Sequence, residues 1–193
     1  AKHIIVGHVF TFGAKRAGTI ETLEELAQEA GVVTEIYSAV LKDDTLVSST
    51  LIRKLIGEGH VRFAGEFLVD PFFVDGKVEP GFKRGTAMGI HTANLSVQNE
   101  LLPKDGVYAT RFECQDKIYQ SVTNIGFNPT FNNVERSVEA HVFDFDQEIY
   151  GEEVRLHFVQ RIRDEIKFVS PEALVQQIKK DIDSAQAILN DDA

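Results

Sequence analysis

Short strand-like segments that follow one another without intervening helices occupy most of the chain from about residue 70 onward. In several of them apolar and polar residues alternate, as where Arg155 and His157 separate Val154, Leu156 and Phe158. Such alternation is typical of strands with one buried face. Strands in series without helical crossovers favour an antiparallel barrel. The predicted strands span residues 72–78, 106–114, 117–125, 137–145 and 154–162.

Turn and cap residues punctuate this region. Only Gln115 and Asp116 separate two of the strands, which predicts a tight hairpin. Further on, Ser170 and Pro171 are the residue types that favour the N-cap and the first position of a helix. Apolar residues then recur at helical spacing, which predicts a long C-terminal helix with one buried face: Leu174, Ile178, Ile182, Ala185 and Leu189.

Residues 1–68 have a different pattern, in which strands and helices alternate. Residues 2–7 and 32–40 are predicted strands, and Thr22 with Glu25 forms a capping box for the helix between them. A second helix follows the N-cap candidates at 48–50. The alternation predicts part of a parallel α/β sheet, so we expect two domains, 1–68 and 69–193. Because the first strand follows Ala1 so closely, we also expect this α/β part to be incomplete.

Composition excludes several classes of protein. The 193 residues carry a formal net charge of −10, which argues against a protein that coats nucleic acid or an anionic membrane. No stretch of about 18 apolar residues predicts a membrane span. The single cysteine, Cys114, rules out an internal disulfide framework and favours a cytoplasmic location. A small anionic substrate remains compatible with the charge, because a few amides and one metal ion neutralise phosphates locally.

A glycine-rich segment is the first candidate for binding chemistry. Gly81, Gly85 and Gly89 recur every four residues, with Lys83 and Arg84 between them. Glycines let a loop approach phosphates closely, and basic neighbours add charge. The spacing fits neither a P-loop nor a dinucleotide-binding motif. Taken alone, it favours a flexible hairpin loop.

Three further residues carry oxygen ligands or a titratable group. Thr92 and Asn94 offer neutral oxygens that suit Mg²⁺ with phosphate, although such residues also form turns at strand ends. Glu139 alternates with apolar residues in a predicted strand. A carboxylate aimed into a barrel mouth is suited to act as a general base, while a solvated strand residue is the simpler interpretation.

Together these segments resemble one family. Seven stretches, in family order, are similar to riboflavin kinase, the module that makes FMN from riboflavin and ATP: residues 76–78, 89–94, 105–109, 124–131, 138–141, 148–151 and 161–168. The resemblance implies a mainly β fold, a six-stranded antiparallel Greek-key barrel with a long C-terminal helix. It also implies MgATP and riboflavin as the small-molecule partners.

Residue roles are carried over by the same resemblance. Glu139 would accept the proton of the ribityl hydroxyl, and Thr92 with Asn94 would hold Mg²⁺ against the ATP phosphates. The remaining roles concern the two substrates. The nucleotide side would include Gly81, Lys83, Arg84, Gly85 and Asn124, and the flavin side Arg161, Arg163, Glu165 and Phe168. One departure is His91, which stands where the family has proline before Thr92.

The first region resembles a second module. Residues 6–13 and 47–53 are similar to the later motifs of the FMN adenylyltransferase domain, a Rossmann-like nucleotidyltransferase that precedes the kinase in bacterial bifunctional FAD synthetases. The His-x-Gly-His motif of its earlier half has no counterpart here, and Val9 replaces an expected aspartate. We therefore expect no adenylyl transfer from this chain alone.

Two alternatives to an active kinase stay open at this point. One is a regulatory module that binds flavin or nucleotide without transferring phosphate. The other is a fragment of a bifunctional FAD synthetase. In either case the partial α/β region could pair with another copy of the chain, because a sheet edge left unpaired is a site of association.

Overall fold

The computed structural model describes residues 1–81, 91–129 and 134–192, without the side chains of residues 128, 129, 134 and 135. Its contacts form two compact units, Ala1–Ser48 and Ser49–Ala193. The sequence places the domain boundary at 68/69, where the strand pattern changes. By contact, the twenty residues before that point belong with the second unit.

The first unit is a small α/β structure. Its two main strands pair in parallel, as the alternating pattern predicts, with His3 opposite Val33 and Gly7 opposite Tyr37. The elements are β1 (His3–Gly7), a 3₁₀ turn (Ala14–Arg16), α1 (Ile20–Glu29), β2 (Val33–Tyr37), β3 (Leu41–Lys42) and β4 (Thr45–Leu46).

The predicted capping box of α1 is wrong. The helix begins at Ile20, and its N-cap is Thr19, whose hydroxyl accepts a hydrogen bond from the Thr22 backbone N–H at 3.5 Å. Both Thr19 and Thr22 are residue types that cap helices. Thr19 takes this position because it keeps an extended backbone while Thr22 already lies in the first turn.

The second unit contains a closed six-stranded barrel in the order β10-β5-β6-β9-β8-β7, with every neighbouring pair antiparallel. This arrangement confirms the predicted fold class. Its strands are β5 (Phe73–Glu79), β6 (Ala93–Val97), β7 (Gly106–Cys114), β8 (Lys117–Pro129), β9 (Val134–Val142) and β10 (Glu153–Arg163).

Two strands differ from the sequence pattern. The pattern does not single out β6, because it is five residues long and continues the polar Thr92 segment. The strand predicted at 137–145 ends earlier, at Val142, because the chain turns at Asp144, whose φ is 51°. The hairpin between β7 and β8 is confirmed: Gln115 and Asp116 both adopt the positive φ that a two-residue turn of this kind requires.

Alternation divides each barrel strand between the interior and the outside. Tyr108, Phe112, Ile125 and Phe158 belong to a buried apolar cluster inside the barrel. The interior also holds the buried hydroxyls of Thr110, Ser121 and Thr123, and Thr110 Oγ1 lies 2.8 Å from Ser121 Oγ and 2.7 Å from Thr123 Oγ1. These hydroxyls satisfy one another, which avoids the cost of burying unpaired polar groups.

One helix covers part of the outside. This helix, α4 (Pro171–Asp191), has Ser170 as its N-cap, and the Ser170 hydroxyl accepts a hydrogen bond from the Ala173 N–H at 3.2 Å, as predicted. It packs on β7, β8 and β10 through an apolar cluster that includes Ala185 and Leu189. Among the side chains that the structure describes, none on the outer faces of β6 and β9 belongs to this cluster.

Two short helices complete the second unit. They are α2 (Ser49–Gly57) and α3 (Val61–Gly65), and α3 packs against β10. Leu55 and Ile56 of α2 form a buried cluster with Ala64. Within the described ranges 1–81, 91–129 and 134–192, no helix is both long and apolar enough to cross a membrane.

Candidate active site

Three of the predicted site residues form a row across the outside of the barrel. Glu139 on β9 lies directly opposite Asn94 on β6 and directly opposite Asn124 on β8. Side chains at opposed positions of an antiparallel pair share a face, with Cβ atoms roughly 4.5–5.5 Å apart. The sheet register therefore brings together residues that are 15 to 45 positions apart in sequence. We call Asn94, Glu139 and Asn124 the polar row.

The carboxylate of the polar row points away from the barrel interior. Val138 and Ala140 are buried in the core, so the intervening Glu139 is on the outer face, where it is half-buried. The interpretation that it points into a barrel mouth is wrong for this reason. The Ser137 hydroxyl, two residues away on the same face, donates to Glu139 Oε1 at 3.4 Å.

Gly81 lies against the first residue of the row. A Cβ on Gly81 would collide with the side-chain amide of Asn94, so any other residue here would require that side chain to shift. The structure thus brings together Gly81 and Asn94, and their contact with nucleotide stays a prediction. The predictions for Lys83, Arg84 and Gly85 lie outside the described residues.

A cleft of about 510 Å³ opens beside Asn94. Gly81, Thr92 and Asn94 line one part of it, and the segment at 145–150 between β9 and β10 lines another. That segment contributes aromatic and acidic side chains, among them Phe145, Asp146, Glu148 and Tyr150. Sequence reasoning gave it no role, although residues 148–151 belong to the stretches that carry the family resemblance. The cleft has the size and mixed lining of a small-molecule site.

The donor set at this cleft suits a magnesium ion that is also bound by phosphate. Thr92 and Asn94 offer neutral hard oxygens, which Mg²⁺ accepts when substrate phosphates and water supply the other ligands. Across residues 1–81, 91–129 and 134–192 there is no group of three or more His, Cys, Asp or Glu side chains that could hold a metal by themselves. A metal ion at this cleft would therefore need further ligands from the phosphate groups of a bound substrate.

A histidine on β9 holds the residue that precedes Thr92. His141 Nδ1 donates a hydrogen bond to the backbone carbonyl of His91 at 2.8 Å. The His141 ring also packs against Phe143, with the ring centroids 5.7 Å apart. His91, which replaces the proline of the family pattern, is thus tied to β9 through its carbonyl group.

The loop after β10 reaches the far end of the polar row. A Cβ on Gly126 would collide with the carboxylate of Glu165, so this carboxylate lies directly on the β8 backbone, two residues beyond Asn124. Ser137 Oγ also lies 3.3 Å from the Gly126 carbonyl oxygen, so its single hydrogen is shared between this carbonyl and Glu139 Oε1. Glu165 is therefore near the polar row, and its contact with flavin stays a prediction.

The Arg161 side chain makes hydrogen bonds to several separate segments of the chain. Its guanidinium donates to the Asp105 carbonyl at 2.5 Å and to Asp164 Oδ1 at 2.7 Å, and Nε donates to the Tyr108 hydroxyl at 3.3 Å. Its side chain also lies so close to Gly59 and Gly106 that a Cβ on either glycine would collide with it. These contacts within the chain make Arg161 an anchor for the start of the loop at 164–170.

Arg163 anchors the same loop to α4. It donates to both carboxylate oxygens of Asp181, at 2.7 and 2.9 Å, and to the Asp164 carbonyl at 2.9 Å. Phe168 lies near its guanidinium, with the Arg163 Cζ 6.0 Å from the ring centroid. Asp181 is buried, and Gln177 donates a further hydrogen bond to it at 2.9 Å. Sequence reasoning missed Asp181; its signal is an acidic residue within the apolar face of α4.

Asp164 is the most strongly perturbed acid near this loop. Hydrogen bonds from Arg161 and then from Lys104 lower the pKa of its carboxyl group to about 2. The Lys104 ammonium lies 3.1 Å from Asp164 Oδ1. The loop is thus held at its first residue by two cations that belong to other parts of the barrel.

Comparison with known families agrees with this geometry. The riboflavin kinase family model matches residues 68–189, and the FAD synthetase family model matches residues 1–51. The two resemblances in the sequence are thereby confirmed, in the order expected along the chain.

Known relatives extend the match over nearly the whole chain. A bifunctional riboflavin kinase/FMN adenylyltransferase of Haemophilus influenzae is 35% identical over 190 residues, which are 98% of this chain and 62% of that protein. The protein of the same name from Bacillus subtilis is 36% identical and is matched over 58% of its length. This chain therefore spans about three fifths of the length of these relatives.

A solved structure has the same fold. A crystal structure from Streptococcus pneumoniae, described as a macrolide-efflux protein, superimposes with a TM-score of 0.83 at 36% identity, covering 96% of this chain and 60% of that one. The riboflavin kinase match alone spans well over half of the chain and coincides with the barrel, the polar row and α4. The chain belongs to the riboflavin kinase family.

Proposed function

We propose that the chain transfers the γ-phosphoryl group of MgATP to the terminal hydroxyl of the ribityl chain of riboflavin, giving FMN and ADP. The observation that carries this proposal is the polar row, in which Glu139 lies between Asn124 and Asn94, and Asn94 also lines the cleft. Membership of the riboflavin kinase family supports the choice of substrates.

The cleft beside Asn94 takes the nucleotide. Phosphoryl transfer depends on positioning and on neutralisation of charge more than on covalent help from the protein. Thr92 and Asn94 would hold Mg²⁺, which neutralises charge on the phosphate oxygens when it is bound. Because Gly81 has no Cβ, the Asn94 side chain can lie directly against its backbone. The acidic residues of the 145–150 segment disfavour binding of ATP without its metal, because like charges repel.

Glu139 acts as the general base. It accepts the proton of the ribityl hydroxyl while that oxygen forms a bond to the γ-phosphorus, and the bond from this phosphorus to the oxygen bridging the β- and γ-phosphates breaks. The electron pair of that bond leaves with ADP. β9 is hydrogen-bonded on both sides, to β6 and to β8, so the backbone of Glu139 is held rigidly. A base on a rigid element is positioned better than one on a loop.

The loop at 164–170 covers the flavin. Glu165 and Phe168 contribute the side chains on this side, and the loop excludes water that would otherwise accept the phosphoryl group. Arg161 and Arg163 act by positioning this loop, since both guanidinium groups already donate hydrogen bonds within the chain.

The first unit does not add adenylyl transfer to this activity. The FAD synthetase family model matches residues 1–51, but within them Val9 occupies the position of an expected aspartate. FMN is therefore the final product of this polypeptide.

One incubation tests the whole proposal. The chain is mixed with riboflavin, ATP and Mg²⁺, and the products are identified by mass spectrometry, with a second sample in which EDTA removes the metal. We expect FMN and ADP in equal amounts, no FAD, and loss of both products with EDTA. Flavin binding without ADP formation would contradict the kinase proposal and favour a binding module. FAD formation would contradict the proposal for the first unit.

A further inference from the structure

The hydrogen bond from His141 fixes the segment that carries Thr92. His141 lies on β9, two residues beyond Glu139 and on the same outer face of the strand. Its Nδ1 lies 2.8 Å from the His91 carbonyl oxygen, which can only accept, so Nδ1 carries the hydrogen. The bond joins the strand of the general base to the residue immediately before Thr92.

Thr92 is held from both sides. On its C-terminal side, β6 begins at Ala93, which pairs with Ala140 of β9. The sheet ladder therefore constrains Thr92 from that side only. On its N-terminal side, the His141 bond restrains the carbonyl of His91. With both restraints in place, the Thr92 backbone keeps a fixed distance from β9.

The ring of His141 is itself fixed. It packs against Phe143, and the two ring planes meet at 62°. Phe143 is buried in the apolar cluster beneath α4. The hydrogen bond donor therefore has little freedom, so it also restricts the position of the His91 carbonyl.

We infer that His141 is a positioning residue for the metal and phosphate ligands, in addition to the roles of Thr92, Asn94 and Glu139; this inference rests on the proposed function. His141 acts through the His91 carbonyl and touches neither substrate. Loss of the bond gives His91 and Thr92 more conformational freedom, so that ordering Thr92 on binding costs more. Binding of the metal-bound nucleotide weakens, while riboflavin binding is unchanged.

A set of substitutions at one position separates the donor from the ring. His141→Phe keeps the ring contact with Phe143 and removes the donor. His141→Asn removes the ring but puts an amide nitrogen close to the position of Nδ1. His141→Gln keeps a polar side chain whose amide lies one bond further out, where it cannot make the same contact. His157→Phe is the matched control, because His157 lies on β10 and donates to Glu113 at 2.8 Å.

The primary measurement is calorimetric binding of ADP with and without Mg²⁺. A neutral hydrogen bond contributes about 1 kcal/mol, so we expect MgADP to bind about three- to tenfold more weakly to His141→Phe and His141→Gln. We expect His141→Asn and the His157→Phe control to bind within about twofold of the wild type. Without Mg²⁺, ADP affinity changes less. In the kinase assay the KM for MgATP rises by a similar factor, and the KM for riboflavin does not.

The outcomes distinguish this inference from the proposed function. A wild-type chain that produces no FMN contradicts the proposed function. A wild-type chain that is active, with unchanged MgADP affinity in a folded His141→Phe or His141→Gln variant, overturns the inference. Equal loss of MgADP affinity in all three His141 variants would also overturn the inference, because the affinity would then not depend on the hydrogen bond donor. Thermal unfolding of each variant establishes which of them are folded.

Discussion

The outer surface of the barrel has two halves that differ in character. A single row of residues, paired across neighbouring strands, nevertheless runs through both halves. The polar row occupies one half. Asn124 pairs with Val107 of β7, and Val107 pairs with Arg163 of β10, so the same row of pairs continues beneath α4. In the covered half Val107 is buried in an apolar cluster, and Arg163 binds the buried Asp181. The difference arises from where α4 lies.

This difference separates stability from chemistry within one fold. The covered half removes apolar side chains from water, which is the main stabilising contribution in a folded chain. The polar row is half-buried and carries amide and carboxylate groups, which add little to a core. Substitutions in the two halves should therefore affect different measurements.

The largest expected effect is on turnover, in the polar half. We expect Glu139→Gln to lower kcat by about 10²- to 10⁴-fold, because the amide cannot accept the hydroxyl proton. Riboflavin binding and the free energy of unfolding should change little. Stopped assays for FMN and a urea titration measure the two quantities. Glu113→Gln is the matched control, since Glu113 is also a partly exposed carboxylate on an outer barrel face. Turnover retained in Glu139→Gln would remove this residue from the role of base.

The second effect is on stability, in the covered half. Leu189 is 1% exposed in the cluster beneath α4, so Leu189→Ala should lower the free energy of unfolding by about 2–5 kcal/mol. Below its unfolding temperature the variant should keep its kcat, because no residue of the polar row is changed. Ile118→Ala is the control: Ile118 is 61% exposed, and its loss should cost less than about 0.5 kcal/mol. If Leu189→Ala lowered kcat as well as the free energy of unfolding, measured below the unfolding temperature, that result would contradict the separation of the two halves.

Local patterns in the sequence predict the elements of both halves. Period-two alternation identifies most of the strands, and the Gln115-Asp116 pair identifies a hairpin that lacks glycine. The stripe from Leu174 to Leu189 identifies the buried face of α4. These features are predictable because they depend on neighbours in sequence.

The register between distant strands is what the sequence does not reveal. Nothing local shows that Asn94 lies opposite Glu139, because that pairing depends on closure of the barrel. Similarly, the apolar stripe predicts that α4 is buried on one face but not which strands it covers. The Arg163–Asp181 pair follows from that packing, so family resemblance suggested a flavin contact for Arg163 while its partner within the chain went unrecognised. Its contact with flavin stays a prediction.

A smaller effect is expected where the polar half meets the loop at 164–170. Gly126→Ala introduces a Cβ that collides with the Glu165 carboxylate, so this side chain must leave its position against β8. Because the carboxylate is the flexible end of the side chain, stability should change little, and we expect the KM for riboflavin to rise by at most about tenfold. Glu165→Ala removes the colliding group. In that background Gly126→Ala should change KM by less than about twofold, which is the signature of coupled neighbours. Simple additivity of the two substitutions would show that the loop does not depend on this contact.

The smallest effect is on the pH dependence of stability, at the first residue of the same loop. The folded pKa of Asp164 is about 2, below its ordinary value of 3.8, because Arg161 and Lys104 donate to its carboxylate. A depressed pKa means that the contribution is fully present above about pH 4 and is lost as pH falls through about 2. Over this range, wild-type stability should fall more steeply than that of Asp164→Asn, and Lys104→Met should show an intermediate slope. Urea unfolding at a series of pH values measures these slopes, and parallel curves would contradict the prediction. Because Asp164 is exposed, salt should reduce the difference, whereas the Arg163–Asp181 pair in the covered half should respond to salt much less.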